Sequence, residues 1–136
     1  MFNSKSQFIV IEPEIDLDDP VGDPFTLKSR HPMVIHSVEF VYTEATDGAI
    51  ATKGVVSFDV TPSGGARAEK ATYTAEISKA IGFTARLLGA GSKFDPVDIA
   101  NGDTLHFELK TQQTAGEAGM GKFLLYYEMG QDTEVA

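Results

Sequence analysis

Cysteine and tryptophan are both absent from the 136 residues. Without cysteine the chain has no disulfide, no thiolate zinc site and no thiol nucleophile, which suits a protein made in a reducing cytoplasm. Basic residues are scarce: eleven Lys and Arg stand against twenty Asp and Glu, for a net charge of −9. A phosphate backbone selects a basic stripe, so the charge argues against nucleic acid as a ligand and equally against an anionic membrane surface. No apolar run approaches the roughly 20 residues needed to span a bilayer. The opening MFNSKSQFIVIEPE has too short an apolar core for a signal peptide. What remains is one domain of ordinary composition whose charge favours a partner of opposite sign.

The strongest pattern present is period-2 alternation between Gly102 and Met129. Leu105, Phe107 and Leu109 alternate with Thr104, His106, Glu108 and Lys110. Phe123, Leu125, Tyr127 and Met129 then alternate with Lys122, Tyr126 and Glu128. Two such runs joined by a Gly-rich connection predict an antiparallel hairpin, with the first set in the core. Leu124 and Tyr126 make the outer face of its second strand more apolar than solvent favours, and they are the candidate subunit contact.

Further strands are predicted over 33–43, with Val34, His36, Val38, Phe40 and Tyr42 on one face, and over 54–60. Asp47-Gly48 and Pro62 to Gly65 are turn signals. Region 66–93 reads as strand, short helical turn, strand, and 94–99, with Pro96, as an irregular or edge strand. Turn signals recurring every ten or so residues predict about eight short strands in an all-β, antiparallel two-sheet β-sandwich of jelly-roll type. The tail QDTEVA is short and polar.

The first 24 residues hold one lysine, Lys5, against six acids, a net of −5 out of the chain's −9. Three prolines in the same stretch block helix and remove ladder donors, so the sequence divides into an extended N-terminal arm over 1–32 and a sandwich domain over 33–136. Phe8, Ile9, Val10 and Ile11 form a short apolar run suited to an edge strand. With Glu12, Glu14, Asp16, Asp18, Asp19 and Asp23 they make up the candidate partner-contact set. On this reading, removal of residues 1–24 leaves the domain folded and weakens partner binding.

Chemistry-bearing constellations fail in turn. Asp16, Asp18, Asp19 and Asp23 could offer oxygen ligands to calcium, but counting from Asp16 puts Pro20 at position five and Val21 where an EF-hand needs glycine. His31, His36 and His106 have no spacing that forces them together as zinc ligands. There is no GxSxG elbow, and the glycines from Gly116 to Gly121 lack the Lys-Ser/Thr of a phosphate loop. Glu108 and Glu128 could face each other across a sheet, as paired glycosidase carboxylates do, but exposed strands commonly carry such acids beside lysines such as Lys110 and Lys122. The residues therefore predict no catalytic site, no metal and no cofactor.

Three segments, IHSVEFVYTEATDGAIATKGVVSF, NGDTLHFELKTQQTAG and GKFLLYYEM, together resemble the small jelly-roll capsid decoration (cement) proteins of tailed bacteriophages. In that family a long early strand is followed by an acidic-Gly turn. A GDTL-type turn then leads into the penultimate strand, and a GKF-plus-aromatic strand ends the domain. The resemblance implies a homotrimer on the capsid surface of the virion, made in the host cytoplasm, with N-terminal arms reaching the major capsid protein of neighbouring capsomers. It carries no nucleic-acid or membrane role. A tail or baseplate component, or a glycan- or host-surface-binding sandwich, are the alternative functions; the absence of tryptophan counts against glycan recognition.

Overall fold

In a computed structural model, residues 7–129 are described, and they build ten strands and one 3-10 turn. The first six residues, including Lys5, and the tail from 130 lie outside the described residues. The strands are β1 (Gln7–Val10), β2 (Ile15–Asp16), β3 (Gly22–Lys28), β4 (Met33–Glu44) and β5 (Val55–Thr61). They continue with β6 (Ala68–Thr74), β7 (Thr84–Arg86), β8 (Val97–Ile99), β9 (Thr104–Thr111) and β10 (Met120–Met129). All pairings are antiparallel.

Two sheets result, the all-β two-sheet architecture that the alternation predicts. In the six-stranded sheet β10 and β4 are central, β1 and β2 lie end to end along the far side of β10, and β7 and β8 lie end to end along the far side of β4. The four-stranded sheet has the order β3-β9-β5-β6. The inner faces meet in a core of aromatic rings: Phe107 lies 5.1 Å from Phe123 across the sheets, Phe123 lies 5.9 Å from Phe40, and Phe107 lies 5.4 Å from Phe58. Leu105, Leu109, Val56, Val60, Ile35, Val38 and Leu125 fill the space around them. Gly121 is required at its place because a Cβ there would sit 2.2 Å from the Phe40 ring and 2.6 Å from the Val41 carbonyl oxygen.

The expected hairpin over 102–129 does not form. β9 pairs with β3 and β5, while β10 pairs with β1, β2 and β4, so the two runs face each other from opposite sheets. Both alternate because each buries one face, and period 2 alone does not say against which neighbour. The connection at 112–119 arches over the end of the sandwich, with Gly116 and Gly119 at positive φ. Across 66–93 the strands are β6 and β7, joined by turns; the short helical turn falls later, at Ala90–Ser92.

His36 is also displaced from its expected place. β4 pairs Ser37 with Tyr126 but Ile35 with Tyr127, so His36 is the extra residue of a β-bulge. The bulge reverses the alternation: Ile35 and Val38 both point inward, and His36 is exposed with its Nε2 2.9 Å from Glu128.

The acidic arm over 1–32 is corrected most, since its described part supplies strands to both sheets. β1 and β2 extend the six-stranded sheet and β3 borders the four-stranded one. Ile11, Ile15 and Leu17 are core residues. The Leu17 N–H donates to the Gly119 carbonyl (3.0 Å) and its own carbonyl accepts from the Gln113 N–H (2.7 Å), which fastens the segment beneath the 112–119 arch. Burying three such side chains stabilises by roughly 1.5–3 kcal/mol each, so the segment belongs to the sandwich that was expected to begin at residue 33. The prolines act as interruptions: Pro13 separates β1 from β2, and Pro20 separates β2 from β3.

A last connection joins the two sheets. Just past β7, Leu88 and Thr72 of β6 exchange both backbone hydrogen bonds at 2.9 Å. The edge of one sheet is thereby sewn to the edge of the other.

Candidate functional site

The outer face of the four-stranded sheet collects charge around one guanidinium. Arg67, in the loop that enters β6, donates to both Asp23 oxygens (3.0 and 2.9 Å) and to Asp59 (2.8 Å), and lies 3.2 Å from Glu108. The Ser57 hydroxyl lies 3.0 Å from Asp59 and 2.9 Å from Glu108, and its single proton is donated to one carboxylate at a time. These partners come from β3, β5 and β9, whose alternation places them together on the outer side. The hydrogen bonds from Arg67 hold the Asp23 carboxyl below the usual carboxylate range, with a smaller contribution from His106. The same bonds keep the guanidinium firmly charged against the opposing effect of burial.

His106 completes a chain across three strands: its Nε2 is 2.8 Å from the Thr61 hydroxyl and its Nδ1 is 3.3 Å from Asp23. Hydroxyl, imidazole and carboxylate in that order form the relay of a nucleophilic enzyme. Here, however, the carboxylate is already clamped by Arg67, and the hydroxyl stands on a sheet face. A cleft of about 450 Å³ beside β2 and β3 is lined by Glu14, Ile15, Asp19, Pro20, Gly22, Asp23, Pro24 and Leu109, with neither Thr61 nor His106 among them. The chain ties β3 to β9 and β5.

The candidate residues of the N-terminal segment are mostly engaged within the chain. Glu12 pairs with Lys122 at 3.1 Å, Glu14 accepts from the Thr43 hydroxyl, and Asp23 belongs to Arg67. Asp16, Asp18 and Asp19 form a cluster whose carboxylate oxygens lie within 4.8 Å of one another, so the structure assembles three of the four acids weighed as cation ligands and takes Asp23 elsewhere. Asp16 accepts from the Asp18 N–H (3.2 Å) and Asp18 accepts from the Gly116 N–H (3.1 Å). Partial burial, followed by the hydrogen bond to Asp18, pushes the Asp16 carboxyl up to about 6. Glu108 and Glu128, weighed as a pair, lie in opposite sheets on Arg67 and His36 respectively.

The outer face of the six-stranded sheet is different. Phe8 of β1 lies opposite Tyr126 of β10, and Val10 lies opposite Leu124. The Phe8 and Tyr126 rings stack, with centroids 5.4 Å apart and planes at 22°. Phe8 remains 57% exposed and Ile9, on the other face of the strand, 47%. Burial pushes the Tyr126 phenol up, and the neighbouring Glu39 adds to the shift. Leu124 and Tyr126 thus lie in one apolar stripe with Phe8 and Val10, a juxtaposition that needs the β1–β10 pairing and is invisible to strand-by-strand reading. Ile11 falls out of the contact set because it is core.

No helix among the described residues is long and apolar enough to cross a membrane. Comparison with known proteins gave no match: no family model fits the chain, no curated protein matches it and no solved structure matches it.

Proposed function

We propose that the chain is a structural virion protein without enzymatic activity or cofactor, a capsid decoration subunit that binds the major capsid protein on the outside of a phage head. The observation that carries this reading is the apolar stripe of Phe8, Val10, Leu124 and Tyr126 on the outer face of the six-stranded sheet. Solvent-facing apolar groups gathered in one place mark a protein-protein contact. The strand order supports the jelly-roll reading. With β1 and β2 counted as one interrupted strand, and β7 and β8 as another, the chain passes repeatedly between the sheets, and its last strand returns beside its first. The net charge of −9 favours a basic partner surface.

Trimerisation would divide the stripe, with Leu124 and Tyr126 as subunit contacts and Phe8 and Val10, on the edge strand, left to the capsid partner. Many copies, each clamping neighbouring capsomers weakly, sum to a large stabilisation of a shell by multivalency. The test is incubation of the purified protein with undecorated heads. Saturable binding that raises the temperature at which the heads release DNA is the expected result, and lack of saturable binding overturns the reading. Sedimentation equilibrium reports the trimer separately.

A further inference from the structure

The edges of the two sheets are not equally protected. β3 carries Asp23 and Pro24, β6 carries Glu69 and Lys70, β7 is three residues long and ends on Arg86, and β8 carries Asp98. Charges, proline and shortness are the devices by which sheet edges avoid pairing with other chains. β1, with the sequence QFIV, is also short, at four residues, but carries neither charge nor proline, and among the described residues no strand pairs with its outer side.

The Ile11 N–H donates to the Phe123 carbonyl across β10 at 2.9 Å. Antiparallel ladders alternate, so the N–H and C=O groups of Phe8 and Val10 turn away from β10, towards the open side. Apolar side chains flank these groups on both faces, Phe8 and Val10 outside and Ile9 on the opposite face. The outer row then runs into Glu12, whose side chain stays 78% exposed while it pairs with Lys122. The exposed Glu14 follows; it accepts one hydrogen bond from Thr43 and, among the described residues, keeps its other oxygen open.

We propose that β1 accepts one further strand from a basic partner protein. That strand is an extended apolar segment, antiparallel to β1, with a Lys or Arg at its N-terminal end beside Glu12 and Glu14. The proposal rests on the docking reading above and names the chemistry of its partner. A second copy of this chain offers only one lysine, Lys5, ahead of its QFIV run and itself carries −9, so a basic partner is the better occupant. An antiparallel addition continues the pairing used throughout both sheets, and its backbone bonds supply affinity while the flanking side chains supply selection.

The test uses the full chain and a capped peptide of alternating valine and threonine with two lysines at its N-terminal end. The peptide is expected to slow amide hydrogen exchange at Phe8 and Val10 by about tenfold or more. Moving the lysines to the C-terminal end, or replacing them by glutamates, is expected to weaken binding by about tenfold, and Glu12→Lys reverses the preference for lysine over glutamate. Val10→Pro removes an outward N–H without taking a bond from β10, so it abolishes binding while the circular dichroism stays that of the wild type. A peptide N-methylated on the amides that face β1 makes the same test without altering the protein.

Exchange protection confined to another edge, or undiminished binding to Val10→Pro or of the methylated peptide, overturns the proposal. Concentration-dependent dimerisation that Val10→Pro removes also overturns it, by making a second copy the occupant. Heads that bind Val10→Pro as tightly as the wild type would leave the decoration reading standing and remove this one. Peptide binding at β1 without head binding would do the reverse.

Discussion

On the outer face of the four-stranded sheet, Arg67 gathers Asp23, Asp59 and Glu108, and Ser57 and His106 are hydrogen-bonded into the same network. On the outer face of the six-stranded sheet, Phe8 stacks on Tyr126 beside Val10 and Leu124, and the neighbouring edge carries no charge. The two faces have the same strand alternation and differ in chemistry, the second holding an apolar stripe between the Glu12–Lys122 and His36–Glu128 pairs. The first satisfies its polar groups internally and offers a visitor few bonds that are not already made. The second leaves apolar area and backbone groups directed at solvent, and only such unmet valency can bind.

The largest expected effect comes from removing material that both faces share. Deletion of residues 1–24 takes β1, β2, the start of β3 and the core side chains Ile11, Ile15 and Leu17. The truncated chain is expected to lack the circular dichroism of a folded β-protein, whereas a detachable arm would leave the spectrum intact.

Next is the guanidinium. Arg67→Ala leaves Asp59, 6% exposed, beside two other carboxylates without their cation. The cost is expected to be about 2–4 kcal/mol in urea unfolding; a loss below ~0.5 kcal/mol would mean that the polar face contributes nothing beyond covering the sheet. The pH profile carries the same information. The Asp23 carboxyl is lowered in the folded chain, so its stabilisation is present above the unfolded value of about 4 and is lost as pH falls through the folded value.

The apolar face should answer in the opposite sense. Phe8→Ser with Tyr126→Ser is expected to change unfolding stability by less than about 1 kcal/mol and to weaken binding to heads by about tenfold or more. Equal losses in both measurements would make the stripe ordinary packing. The smallest effect lies between the faces. Asp16 is raised to about 6 when folded, so the folded chain holds more protons than the unfolded one between about pH 4 and pH 6, and stability falls as pH rises through that window. Asp16→Asn is expected to gain about 1 kcal/mol at pH 7 and nothing near pH 3, as read from thermal melts at the two pH values.

Burial on one side was legible along most of each period-2 run, though Met129, at the end of the second, is exposed. Leu105, Phe107, Leu109, Phe123 and Leu125 are all core, as their spacing predicts. Partnership was not: one inner face looks the same whether its strand neighbours the next run or opposes it across a core, so β9 and β10 read as a hairpin. The bulge at His36 left no mark either, since one extra residue changes register without changing composition. The N-terminal segment misled through its charge. Six acids suggested solvent, while Ile11, Ile15 and Leu17 among them form an alternating row that is buried. The contact surface was half legible: Leu124 and Tyr126 were visible as apolar on a polar side, and Phe8 as an edge residue. Their meeting required the pairing of strands more than a hundred residues apart.

The double hydrogen bond between Thr72 and Leu88 turns the two sheets into one continuous ribbon. From β3 the ladder runs through β9, β5 and β6, crosses at that seam to β7, and ends through β4 and β10 on β1 and β2. Topologically the molecule is a barrel slit along one side, and both lips of the slit belong to residues 7–28. Breathing should therefore concentrate on that side, with amides at the lips exchanging sooner than those at the seam. A strand gripping one lip would meet the most compliant part of the wall, and docking and stiffening would then be a single event.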